Sequence, residues 1–142
     1  MHESSKQANL KRLLVVAGLI QRNSNDIEFL VTRRAMTGHL PGSWELPGGK
    51  VEPGEPPESA LHRELREELG IEVHIDRIFS VGHHVYADRE VVLMVYRTRL
   101  KSGTPECLVA LEAEWLTAAQ VLQLDFPPAN YSFVKRMKTE YL

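Results

Sequence analysis

Leu13 to Ile20 is an apolar stretch rich in branched side chains, which predicts a buried strand. The polar cluster from Arg22 to Asp26 reads as a turn, and Ile27 to Arg33 as a returning second strand. From Ala35 to Glu45 the pattern is irregular and carries Gly38, Pro41 and Gly42, so a surface loop is expected. Residues 46–57 are crowded with Gly and Pro and predict a structured loop rather than the interior of an element. Prolines 56 and 57 suit the first turn of a helix, where a missing N–H costs nothing. That helix is predicted from Pro57 to Leu69, with Leu61, Leu65 and Leu69 on one buried stripe and Gly70 as its stop.

Two strands follow, Ile71 to Tyr86 and Glu90 to Leu100, joined by Ala87 to Arg89. Lys101 to Pro105 reads as a turn and Glu114 to Leu116 as a short strand. Thr117 is a candidate cap for a helix to about Leu124, and Asn130 for a last helix to Tyr141. Such an irregular alternation predicts an α/β fold, a mixed sheet covered by helices. Residues 1–11 are polar and aperiodic, so a flexible tail is expected there and one domain over 12–142.

Composition narrows the class. The 142 residues are 43% hydrophobic and 25% charged, as in an ordinary globular domain. No apolar run is long enough to span a membrane, and the polar N-terminus is unlike a secretory signal. The one cysteine, Cys107, has no partner for an internal disulfide and reads as a passive thiol, so the compartment expected is the cytoplasm. A net charge of −2 disfavours duplex DNA as a partner, yet leaves room for a small anion held through a divalent cation.

The predicted helix from Pro57 carries Arg63, Glu64, Glu67 and Glu68. Three carboxylates at i, i+3 and i+4 project from one face beside the leucine stripe. Read alone, this is an ordinary solvated acidic face. Read as chemistry, it is a site for a hard cation such as Mg²⁺, which binds carboxylate, water and substrate phosphate oxygens. No Gly-x₄-Gly-Lys-Ser/Thr loop is present, which removes the P-loop reading. His83 and His84 are neighbours on a strand and point to opposite faces, so they do not share a metal. Lys135, Arg136 and Lys138 are read as charges at a helix end.

The spacing decides between the bland and the sharp readings. Gly49, Glu55, Arg63, Glu64, Glu67, Glu68 and Gly70 resemble the Nudix box at every defined position. Seven fixed identities, each at a background near ~7%, coincide by chance on the order of 10⁻⁸ times per starting point. The resemblance implies an α/β/α sandwich with a mixed sheet and a loop–helix–loop binding divalent metal. Its implied metal set is Glu64, Glu67 and Glu68 with the main chain of Gly48, with Arg63 orienting the carboxylates. Glu55 positions the metal or the catalytic network, and Mg²⁺, or Mn²⁺ in its place, is the cofactor.

Within that family the chain is most similar to the nucleotide-sanitising MutT branch, through residues 32–34, 44–50 and 126–130. The likeness implies that Asn130 reads the purine edge, which suits an amide offering donor and acceptor together. It also implies that Arg34 and Arg89 contact substrate, that Leu46 lies beside the base, and that Gly48 and Gly49 approach the phosphates. The branch carries a further acid before the tryptophan matched by Trp115. That position falls on Val109 here, leaving Glu112 as first candidate, ahead of Glu114 and Glu106. Leu46 replaces a phenylalanine. The function implied is release of pyrophosphate from a guanine-type nucleoside triphosphate, normal or 8-oxidised, by a monomer or homodimer. Alternatives are the triphosphorylated 5′ end of RNA, CTP or another pyrimidine nucleotide, and a nucleotide sensor without turnover.

Overall fold

The computed structural model describes residues 10–23, 25–110 and 112–142. Its elements are β1 (Lys11–Asn23), β2 (Ile27–Arg33), β3 (Trp44–Glu45), β4 (Gly48–Lys50), α1 (Pro57–Leu69), β5 (Glu72–Val85), β6 (Arg89–Ser102), β7 (Glu112–Leu116), α2 (Ala118–Val121) and α3 (Tyr131–Tyr141). A 3₁₀ turn, Pro128–Asn130, runs into α3. All seven strands form one mixed sheet ordered β3-β2-β1-β6-β5, with β4 paired to β1 and β7 to β2.

Side-chain alternation along β1 explains the three layers. Val16 and Ile20 point to one face and pack with Ala60, Leu61, Leu65 and Leu69 of α1. Ala17 and Leu19 point to the other and join Phe29, Val31, Phe133 and Met137 under α3. The predicted leucine stripe is thus the inner face of α1, each leucine fully buried. Gly70 stops this helix in the left-handed region at φ 66°, where glycine carries no Cβ penalty. Amides of Glu106 and Leu108 then donate to the carbonyls of Leu69 and Glu68, closing the helix end.

One feature of β1 positions the site. Most of the strand pairs in parallel with β6, from Lys11–Arg89 to Gln21–Arg99. Its other edge is shared: Gln21–Asn23 pair with β2, whereas Val15–Ala17 pair with β4. Between these segments the sheet forks, and β2 leaves to pair with β3 and β7.

Several expectations are corrected. Gly48–Lys50 is a strand, not a loop, because two glycines let it lie close against β1; a Cβ on Gly48 would overlap the Val16 carbonyl oxygen. Lys11, expected in a tail over 1–11, pairs with Arg89 in β1; residues 1–9 of that expectation lie outside those described. The helix expected from Thr117 to Leu124 is only α2, started by a reciprocal cap between Thr117 and Gln120. Asn130 makes no side-chain cap; it is helical at φ −89°, ψ 0° and continues the turn before α3.

Candidate active site

A cavity of about 340 Å³ occupies the fork. Its floor is Leu13, Val15 and Ala17 of β1 with Val91 and Leu93 of β6. One end holds Gly48, Gly49, Glu64 and Glu68; the other holds Asn130, and Arg34, Leu46 and Arg89 complete the walls. Leu46 and Asn130 are buried, the amide without a hydrogen-bond partner among the described residues.

At the acidic end Arg63 organises the carboxylates. Its Nε and Nη2 donate to the two Glu55 oxygens at 2.8 and 2.9 Å, a bidentate pair that locks the guanidinium plane. Nη1 donates to Glu64 at 2.9 Å and Glu67 at 3.2 Å, and Nη2 also reaches the Lys50 carbonyl at 3.0 Å. These bonds hold the Glu55 carboxyl down at about 2 and raise the Arg63 value above its ordinary one. Glu68 lies beyond their reach. Burial, then the carboxylates of Glu64 and Glu45, push its carboxyl up to about 8, with Arg34 opposing. Burial raises Glu64 and Glu45 too, against the pull of Arg63 and Arg34 respectively.

Two observations show that this end suits a hard cation. The negative charge of Glu64 and Glu45 around Glu68 outweighs the single positive group, Arg34, that opposes it. A Cβ on Gly49 would overlap the Glu64 carboxylate, so glycine there is what admits the acid. The ladder bonds of β4 fall on Pro47–Gly18 and Val51–Leu14, and by alternation the Gly48 main chain is turned away from β1. Among the described residues no three acidic or histidine side chains converge as a closed cage. Mg²⁺ does not require one, since it keeps several waters and uses one or two carboxylates.

Not every expected residue reaches the cavity. Glu67 stands on the outer side of Arg63, its side chain 59% exposed. Glu55 binds Arg63 and accepts from the Glu52 amide, and it does not line the cavity. Glu112 sits on β7, bound to Arg33 at 3.2 Å, and is not among the cavity residues. Glu106 and Glu114 are exposed and line no part of it. His83 bonds Glu90 while His84 meets the Tyr86 ring, on opposite faces.

Three cavity residues were not anticipated. Glu45 binds Arg34 at 3.0 Å and faces Glu68 electrostatically. His39 carries a buried Nε2 without a partner, and burial together with Arg89 and Arg34 lowers its pKa. Tyr86 stands edge-on to His39 at 5.1 Å. Glu45 lies within the string 44–50 already singled out, so its acid was available as a signal; the other two carry none.

The sequence profile of the NUDIX domain matches residues 11–137. This chain belongs to that family. As a Nudix hydrolase it acts on phosphoric anhydride bonds, and hydrolases of this family use Mg²⁺ or Mn²⁺. It is 34% identical over 129 residues to the 8-oxo-dGTP diphosphatase of Escherichia coli K12, covering 91% of this chain and 98% of that one. It is 33% identical over 121 residues to the CTP pyrophosphohydrolase of the same organism, covering 85% and 87%. The crystal structure of the MutT protein from Methanosarcina mazei Go1 superposes with a TM-score of 0.79 at 27% identity, covering 92% of this Nudix chain and 96% of that one.

Proposed function

We propose that this Nudix hydrolase is a Mg²⁺-dependent pyrophosphohydrolase of guanine-type nucleoside triphosphates, cleaving dGTP, GTP or 8-oxo-dGTP to the monophosphate and pyrophosphate. The observation that carries the reading is the cavity, which joins Asn130, a buried residue whose amide has no hydrogen-bond partner among the described residues, to the carboxylates of Glu64 and Glu68. A purine edge needs donor and acceptor side by side, and an amide without an internal partner supplies both. Leu46 and the apolar floor take the face of the base. Arg34 and Arg89 meet the anionic part of the substrate from the walls.

Glu64 and Glu68, with the Gly48 main chain, would hold the cation, and Glu67 joins them if it leaves Arg63. Bound there, the cation supplies charge neutralisation for the phosphates and lowers the pKa of an attacking water. Arg63 keeps Glu64 oriented, and Glu55 keeps Arg63 in plane. No side chain forms a covalent bond to phosphorus in this reading. The free, exposed Cys107 suits a reducing compartment such as the cytoplasm.

Pyrophosphate release from 8-oxo-dGTP, dGTP, CTP and triphosphorylated RNA, each with Mg²⁺ and with EDTA, tests the assignment. Guanine nucleotides are expected to lead CTP by ~10-fold or more in kcat/KM, worth ~1.4 kcal/mol of discrimination. Equal rates on CTP and dGTP overturn the role of Asn130, and a lead for RNA transfers the function to 5′ ends. Glu67→Gln and Glu68→Gln should each cost well over threefold in rate. A smaller loss removes them from the metal set.

A further inference from the structure

The turn that carries Asn130 has few ways of being held. Pro127 and Pro128 offer no N–H, so the Ala129 amide is the first main-chain donor available after Phe126. It donates to the Tyr86 hydroxyl at 3.3 Å. The Ala129 carbonyl is seated on Gly82 of β5, where any Cβ would overlap its oxygen. Both main-chain groups of the residue before Asn130 are therefore met by the end of β5 and the residue that follows it.

Tyr86 holds the other walls as well. Its own amide donates to the Arg89 carbonyl at 2.7 Å, closing the turn that carries Arg89. Its ring meets His39 at 5.1 Å and 88°, against the loop that follows Arg34. The ring packing and the main-chain bond would survive in phenylalanine; the bond from Ala129 would not.

We propose that Tyr86 is a positioning residue for base recognition: its hydroxyl, with the bare face of Gly82, sets where the Asn130 amide stands in the cavity. The inference rests on the assignment of Asn130 to the base. It adds a specificity determinant that does not itself read the base.

The test compares kcat and KM for dGTP and CTP, with Mg²⁺, in the wild type, Tyr86→Phe, Gly82→Ala and Asn130→Ala full-length proteins. Loss of one hydrogen bond that aims the amide is expected to raise KM for dGTP about fivefold in Tyr86→Phe. KM for CTP should move far less, so the dGTP preference falls, with the loss in KM rather than kcat. Gly82→Ala reaches the same turn without touching Tyr86, must give the same pattern, and serves if Tyr86→Phe does not fold. Equal losses on dGTP and CTP make Tyr86 merely structural and overturn the proposal, as does an unchanged preference when Asn130→Ala abolishes it. If Asn130→Ala also leaves the preference intact, the base assignment itself fails and the positioning role falls with it.

Discussion

Replacing Glu68 by Gln removes a charge that the folded chain accommodates poorly. In the folded state this carboxyl is pushed up to about 8 from 4.5, chiefly by burial and then by Glu64 and Glu45. Below the unfolded value both states are protonated and the group has no effect on stability. As pH rises from 4.5 to 8 the unfolded chain releases its proton and the folded chain does not, so stability falls across that window. The full shift sets a ceiling of ~5 kcal/mol. Glu68 lines an open cavity, and solvent screening there leaves ~2 kcal/mol. Glutamine keeps the shape without the charge. In EDTA, Glu68→Gln should match the wild type near pH 4.5 and exceed it by ~2 kcal/mol at pH 8.5, a gap of ~5 °C in unfolding midpoint for a chain of this size. Urea unfolding followed by tryptophan fluorescence at intervals between those pH values reads the difference directly. Millimolar Mg²⁺ should narrow the gap by stabilising only the wild type. Unfolding curves that stay parallel across the whole range would refute the charge argument.

Other outcomes follow from the same geometry. Gly48→Ala forces a Cβ into the main chain of Val16 and should cost ~3 kcal/mol or more in urea unfolding. In Gly49→Ala the obstacle is the movable end of Glu64, so stability should change by less than ~1 kcal/mol. The same variant should lose ~10-fold or more in pyrophosphate release as Glu64 is displaced. Leu65→Ala empties a fully buried position under α1 and should lower stability by ~3 kcal/mol in the same assay, without moving KM. Gly70→Ala meets no neighbour, and only its left-handed backbone should penalise it, by ~1 kcal/mol.

The helix of the box was legible because periodicity and chemistry coincide on it. Leu61, Leu65 and Leu69 announce the inner face, and Glu64, Glu67 and Glu68 sit beside it at a spacing with few chance equivalents. Strand β4 was not legible, since Gly48–Gly49–Lys50 has no strand propensity and is made a strand by the neighbour it approaches. The same tertiary origin hid Tyr86 and His39, which become cavity residues only when β5 and the loop after β2 converge on the turn before α3. Glu112 is placed by tertiary pairing as well. Its position near Trp115 is right in chain terms, but β7 turns it to Arg33, whose guanidinium it neutralises away from the cavity. Asn130 was expected to serve both as a helix cap and as a reader of the base. The 3₁₀ turn makes the cap unnecessary and leaves the amide without an internal partner.

The handover of β1's edge from β2 to β4 divides the labour of the site between segments that can change separately. The carboxylates hang from α1, which packs over β4, and Gly48 of β4 approaches β1 too closely to admit a side chain. The loop after β2, which bears Arg34 and His39, follows a strand that meets β1 at only three pairs and is otherwise held by β3 and β7. Lengthening or re-lettering that loop beyond Arg34 would reshape the cavity wall around His39 while leaving the carboxylates of α1 in place. A fold so arranged is suited to diversification: one fixed reaction, with a recognition arm that can be exchanged around it.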